Sequence, residues 1–74
     1  MEWSKLEGNP PIRRAEPEKG TAYFIVKGED SWAACISTGI RYKFVQTLNG
    51  QCEGENEALR ICEQHYEFSK PEKN

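Results

Sequence analysis

Residues 21–48 read TAYFIVKGEDSWAACISTGIRYKFVQTL, and this stretch decides the fold. It contains three runs rich in aromatic and β-branched residues, which suit a pleated surface, and turn residues separate the runs at Gly28-Glu29-Asp30 and Thr38-Gly39. Connections this short join antiparallel neighbours, because a parallel crossover needs a dozen or more residues. The stretch therefore predicts a three-stranded antiparallel meander with strands at 21–27, 31–37 and 40–48.

Side chains two residues apart in a strand share a face, so alternation divides each predicted strand into two sides. In the first strand Tyr23 and Ile25 share one side, while Phe24 and Val26 share the other. A strand that is apolar on both sides is typical of a central or doubly covered position. Alternation alone leaves the register of the three strands open.

Residues 55–68 carry their apolar side chains at helical spacing. At about 100° per residue, one continuous sector holds Ala58, Leu59, Ile61, Cys62, His65 and Tyr66. We expect this C-terminal amphipathic helix to pack on one face of the meander. The predicted fold class is α+β, with a small three- to four-stranded antiparallel sheet and one C-terminal helix packed on one face.

Residues 1–19 form a proline-containing N-terminal arm, because the prolines exclude a regular helix through most of it. Its apolar residues, Trp3 among them, are expected to hold the arm across the open face of the sheet. Two alternatives remain. Trp3 with Arg13-Arg14 could form an exposed recognition surface, and Ile12 to Ala15 could add a short edge strand.

Asn49-Gly50 is a strong local turn signal that fits a type I′ turn. It predicts either a hairpin onto a short strand at Gln51-Cys52 or a loop that leads into the helix, and we favour the loop with at most a two-residue strand. The sheet-plus-helix domain is therefore expected to span residues 20–68. A polar tail, residues 69–74, follows it and contains Pro71, which cannot continue a helix.

Length, charge and cysteine usage limit the class of protein. A chain of 74 residues forms one small domain whose core is marginal, so that a partner or a second copy can help to stabilise it. A net charge of −2 argues against a general nucleic-acid coat protein, which would usually be basic. Three cysteines are a poor disulfide framework, and neither an apolar signal region nor a membrane-length apolar run is visible. A cytoplasmic protein with no membrane partner is the simplest expectation.

Cys62 and His65 lie three residues apart on the predicted helix and so share a face. With Cys35 and Cys52 they could form a Cys₃His zinc site, but no two cysteines have the C-x₂₋₄-C spacing of a preorganised half-site. A Cys–His nucleophile pair would also need an oxyanion hole and a substrate cleft, for which the sequence gives no sign. We therefore expect no bound metal, no cofactor and no enzymatic activity.

One pattern along the chain comprises Trp3, Leu6, Pro10-Pro11, Ala22-Tyr23, Ile25-Val26, Trp32-Ala33-Ala34, Ala58 and Cys62. It resembles small accessory proteins carried by phages and prophages, which combine a little antiparallel sheet, a W-x-A strand and one C-terminal amphipathic helix. Proteins of that kind include inhibitors of host machinery and of bacterial defence systems that act by blocking a protein surface. The resemblance implies fold and provenance, and it carries over no functional residue.

The residue types that are common in protein–protein interfaces indicate which class of function fits this sequence best. Interface cores favour Trp, Tyr and Arg, whereas acidic rim residues mostly change the association rate. We therefore predict a small non-enzymatic interaction protein that binds a macromolecular partner. Its candidate binding residues lie on the open sheet face and its edge and are Arg14, Trp32, Arg41 and Tyr42. The secondary candidate is an acidic helix face made by Glu57, Glu63 and Glu67.

Two other occupants compete with a protein partner for the open sheet face. A second copy of the chain, in a homodimer, would also cover an apolar face. A nucleic-acid-binding module is the alternative function, because basic and interleaved aromatic side chains on a sheet can bind a single strand. The residues in question are Arg13, Arg14, Lys27, Arg41 and Lys43 with Tyr23, Trp32 and Tyr42. The acidic balance of the chain weighs against this alternative.

Overall fold

A four-stranded antiparallel sheet and one helix make up the fold, in a computed structural model that describes residues 1–69. In chain order the elements are β1 (Ile12–Glu18), β2 (Thr21–Lys27), β3 (Trp32–Thr38), a 3₁₀ turn (Ile40–Tyr42), β4 (Phe44–Cys52) and α1 (Glu55–Ser69). The strands are neighbours in the same order, β1-β2-β3-β4. The predicted α+β meander with a C-terminal helix is confirmed. Of the predicted polar tail, residues 70–74 lie outside the described residues.

The strand β1 comes from the segment that the prolines mark as an arm. The structure confirms the alternative of an edge strand that begins at Ile12, and this strand continues beyond Ala15 to Glu18. Pro17 is tolerated because the register between β1 and β2 shifts between Ala15 and Glu18. A bulge on an edge strand is one of the few sheet positions where the missing N–H of proline costs no ladder hydrogen bond.

The first residues of the chain run along the outer edge of β1. The Ser4 N–H donates to the Arg14 carbonyl at 2.8 Å, and the Arg14 N–H donates to Ser4 Oγ at 3.0 Å. Glu7 and Ile12 exchange two backbone hydrogen bonds. Trp3 is half-buried and packs against the core beneath α1. The arm thus covers a sheet edge rather than the open sheet face, contrary to expectation.

The predicted turn at Asn49-Gly50 is wrong, because both residues lie inside β4. The register between β3 and β4 shifts at two places, and β4 supplies the extra residues there. Asn49 stabilises this irregular stretch, since its Oδ1 accepts a hydrogen bond from the Gln51 N–H at 2.8 Å. The strand reaches Cys52, which is fully buried opposite Trp32. Burial of that side chain outweighs the local turn preference.

The third predicted strand also begins later than expected. Extended backbone starts at Phe44 rather than at Ile40, because Arg41 and Tyr42 have φ values of 60° and 55°. This left-handed conformation is incompatible with a strand.

The core lies between α1 and one face of the sheet. Its buried cluster consists of Tyr23, Ile25, Ala34, Ile36, Cys52, Ala58 and Cys62. The predicted apolar sector of the helix is confirmed in its centre, since Ala58 and Cys62 are fully buried and Ile61 is half-buried against the cluster. Arg60 and Glu63 are exposed, as the helical spacing predicts.

The three cysteines are free and buried, but they do not meet at one point. Cys35 pairs with Phe24, on the side of the sheet away from α1, whereas Cys62 belongs to the core beneath the helix. The Cys62 thiol points to the Cys35 carbonyl, with a sulfur–oxygen distance of 4.0 Å. Burial raises the pKa of the Cys62 thiol from 9.0 to about 12.

We predict that Ile25→Ala lowers the free energy of unfolding by about 2–5 kcal/mol, because the side chain is 0% exposed and its loss leaves a cavity. The chain offers a matched control, since Ile40 is 87% exposed. Ile40→Ala should change stability by no more than about 0.5 kcal/mol. Urea unfolding followed by circular dichroism measures both. Equal effects of the two substitutions would contradict the described core.

We predict that stability falls as the pH rises above 9. The folded chain holds the Cys62 proton up to about pH 12, whereas the unfolded chain releases it near pH 9. The stability linked to this thiol is therefore fully present below pH 9 and is lost between pH 9 and about 12. The slope for one such group is about 1.4 kcal/mol per pH unit.

Urea unfolding at several pH values tests this prediction. Cys62→Ala should flatten the pH dependence relative to the unmodified chain. The pKa values of Tyr23, Cys35 and Cys52 are also raised by burial, so a slope of the same sign should remain. An unchanged slope in the variant would show that the Cys62 thiol does not titrate with unfolding.

Candidate functional site

One side of the sheet faces away from α1, and we call it the open face. Cross-strand partners point to the same side of a sheet, so the register assigns its members. By register the open face consists of Ile12 and Arg14 of β1, Ala22, Phe24 and Val26 of β2, Ala33, Cys35 and Ser37 of β3, and Val45 and Thr47 of β4. Glu16 of β1 has no register partner and is assigned to this face by its contact with Tyr42. Within residues 1–69, no helix or strand lies across it, because α1 packs on the other side and the arm follows the edge.

Apolar side chains form the middle of the open face. Phe24 and Val26 of β2 are only half-buried, and Val45 of β4 is 62% exposed. The strand between them, β3, contributes the small side chains Ala33 and Cys35 to this face. Burial of such an apolar surface against another surface is favourable, because it removes the apolar side chains from water.

Tyr42 closes one end of the open face. Its hydroxyl donates to the Glu16 carboxylate, and the Arg14 guanidinium lies over its ring, 5.0 Å from the centroid. Tyr42 follows β3 in the chain but makes these contacts on β1, so its side chain crosses β2. The crossing explains why Ala22 and Ser37, which are paired on the open face, are only 0% and 6% exposed.

The backbone before Tyr42 is held in an unusual conformation. Arg41 and Tyr42 both have positive φ, a region that costs non-glycine residues about 1–3 kcal/mol each. Gly39 precedes them with φ of 89°. This turn aims Tyr42 back over the sheet and leaves the Arg41 side chain exposed. Strain of this kind is concentrated in binding and switch regions of proteins.

The predicted binding residues fall into two groups. Arg14 and Tyr42 meet on the open face, and Arg41 is exposed beside them. Trp32 is the exception, because it lies on the helix-covered side with Ala34 and packs half-buried against the core. Trp32 therefore supports the fold and is not part of the open face.

The predicted acidic helix face is partly engaged within the chain. Glu57 accepts a hydrogen bond from the Glu53 N–H at 3.0 Å, which satisfies a backbone donor just before the helix. Glu63 accepts a hydrogen bond from Trp3 Nε1 at 3.3 Å and so ties the arm to the helix. Glu67 is exposed one turn further on.

A polar cluster lies where the end of α1 meets β2. The Tyr23 hydroxyl and His65 Nδ1 are 2.8 Å apart, Ser69 Oγ is 3.4 Å from the same nitrogen, and the Tyr66 hydroxyl donates to Glu18 at 3.4 Å. These side chains line a cavity of about 320 Å³. Burial raises the pKa of Tyr23, so its hydroxyl stays protonated and available to the imidazole. His65 is thus a half-buried, hydrogen-bonded histidine, which joins the helix to the sheet.

Glu16, Phe24 and Ala33 belong to the open face but were not predicted as binding residues. Alternation places Phe24 on the side opposite Tyr23, so this part of the face was accessible from the sequence. No sequence signal indicates Glu16, because its contact with Tyr42 depends on the conformation of the turn.

Two further features of the described residues bear on function. No three His, Cys, Asp or Glu side chains among them are arranged to hold a metal ion. In the same part of the chain, no helix has the length and the apolar character needed to cross a membrane.

Comparisons with protein-family models, with curated proteins and with solved structures gave no match. The resemblance to phage and prophage accessory proteins therefore stays a prediction.

Proposed function

We propose that the chain is a small non-enzymatic interaction protein whose open face binds a protein partner. One observation supports this proposal above the others. The open face is apolar in its middle, and no helix or strand of residues 1–69 lies across it, because the Tyr42 side chain covers only the end near Ala22 and Ser37. Small domains rarely expose a contiguous apolar surface unless a partner uses it.

The Tyr42 end of the open face gives the surface its polar contacts. Arg14 lies over the Tyr42 ring and its Nη1 is 3.6 Å from Glu16 Oε1, so these side chains are ordered before a partner arrives. Preorganised side chains lose less conformational entropy on binding. The exposed charge of Arg41 favours the approach of an acidic surface. The best complement is therefore an apolar patch with acidic residues at its rim.

The resemblance stated above implies a particular form of this function. An inhibitor carried by a phage would block a surface of host or defence machinery, and a flat apolar sheet face is suited to that task. We place this activity in the cytoplasm, because all three cysteines are free thiols, which a reducing compartment preserves.

The nucleic-acid alternative has less support. Stacking of bases needs aromatic rings on an exposed surface. Tyr23 is fully buried beneath α1, and Trp32 is half-buried on the same side. Tyr42 lies at the open face, but Arg14 and Glu16 already contact it. The aromatic residues that would form the stacking surface are thus engaged in the fold.

We predict that Ala33→Arg weakens partner binding at least about tenfold, equal to about 1.4 kcal/mol, because it places a long charged side chain in the middle of the open face. The double variant Arg14→Ala/Arg41→Ala should also weaken binding, because it removes the ordered guanidinium of Arg14 and the exposed guanidinium of Arg41. Capture of the partner from the source cell, identification by mass spectrometry and calorimetric titration with the purified partner measure these effects.

Glu63→Gln/Glu67→Gln is the control on the acidic helix face. It should leave the affinity unchanged, and circular dichroism should show that every variant is folded. The proposal fails if this pair abolishes binding while the open-face variants retain it. In that case the acidic helix face is the binding surface.

We predict only weak, non-specific association with single-stranded DNA or RNA at physiological salt. The chain is acidic overall, and phosphate binding by a few cations falls steeply as salt rises. Fluorescence anisotropy with labelled oligonucleotides over a salt titration is the measurement. Tight binding that is lost in Arg14→Ala/Arg41→Ala would favour the nucleic-acid module instead.

A further inference from the structure

The two edges of the sheet differ. The outer edge of β1 is covered by the arm through Ser4 and Glu7. β1 also carries the charges and the proline that commonly protect an edge strand, namely Arg13, Arg14, Glu16, Pro17 and Glu18. β4 is the other edge, and no strand among residues 1–69 pairs with its outer side.

β4 lacks the charges and the proline of β1, and its pairing with β3 is regular from Phe44 to Thr47 and shifts register at two places between Thr47 and Cys52. Its sequence, FVQTLNGQC, contains no charged residue and no proline over nine residues. Phe44 is 67% exposed and Val45 is 62% exposed, and successive residues of a strand point to opposite faces. An exposed, uncharged edge strand with apolar side chains on both faces is a template for pairing with another strand.

The charges that flank β4 indicate which strand fits. Lys43 precedes the strand and Glu53 follows it, and both are exposed. Antiparallel pairing of β4 with β4 of a second copy brings each Lys43 towards the Glu53 of the other copy. Parallel pairing would bring like charges together, which destabilises a strand pair. The edge is therefore complementary to itself in the antiparallel sense.

We propose that two copies of this chain pair through β4 in an antiparallel, two-fold symmetric dimer. Each interface then uses the same residues on both copies, as in closed isologous dimers. A two-fold axis that makes strands antiparallel within one continuous sheet is perpendicular to that sheet. Both open faces consequently lie on the same side, and the dimer doubles the surface proposed above for the partner. Both α1 helices lie on the opposite side.

Sedimentation equilibrium over a wide concentration range tests the proposal. The unmodified chain should sediment as a dimer that dissociates on dilution. Val45→Lys adds a charge to the exposed edge and should convert the protein to a monomer. Thr47→Lys is a second variant on the same strand and should act in the same way. Circular dichroism and thermal unfolding show whether each variant keeps the fold.

Ile12→Lys is the matched control, because Ile12 is an exposed apolar residue of the open face on the other edge strand. It should leave the dimer intact. Loss of the dimer in Ile12→Lys with retention in Val45→Lys would overturn the proposal and assign the contact to the open face or the β1 edge.

A charge exchange tests the direction of pairing. Lys43→Glu and Glu53→Lys should each shift the equilibrium towards the monomer, and Lys43→Glu/Glu53→Lys should restore the dimer. A monomer at every concentration overturns the proposal. Isotope-filtered NMR on a mixture of labelled and unlabelled chains is a second test. The absence of intermolecular contacts between β4 backbone protons would also overturn the proposal.

Discussion

A single helix can cover only one face of a four-stranded sheet, and the rest of the structure depends on this limit. α1 packs across β2, β3 and β4 and encloses Tyr23 and Ile25 beneath it. Phe24 and Val26, which alternate with them, necessarily point the other way. Residues 1–69 contain no further helix or strand to form a second layer. The apolar open face is thus a direct consequence of a central strand that is apolar on both sides.

The elements that could be predicted are those with a clear period. Alternation around Tyr23 and Ile25 and the helical spacing of Ala58 and Cys62 are strong signals, because burial imposes them. The turn expected at Asn49-Gly50 rests on a local preference of two residues. The pairing of β4 with β3 overrides it, since continuing the strand carries Cys52 into the core.

The candidate site was less accessible from the sequence than the fold. Trp32 shares a side with Ala34, but the sequence does not say which side of the sheet the helix will cover. The covered side depends on the path that the chain takes from β4 into the helix. The helix covers the side that carries Trp32, so Trp32 packs against the core and is not on the expected binding surface. Tyr42 reaches Glu16 only because the turn before β4 adopts positive φ, and no residue type in that turn requires it.

The position of α1 at the end of the described chain has a consequence for synthesis on the ribosome. The strands emerge in the order in which they pair, so each hairpin can form as soon as its second strand is free. The helix that covers them emerges after all four. Until residues 55–69 are available, the nascent sheet exposes Tyr23 and Ile25 on one side as well as the open face on the other. The growing chain therefore passes through a stage with two apolar faces, when protection by chaperones matters most.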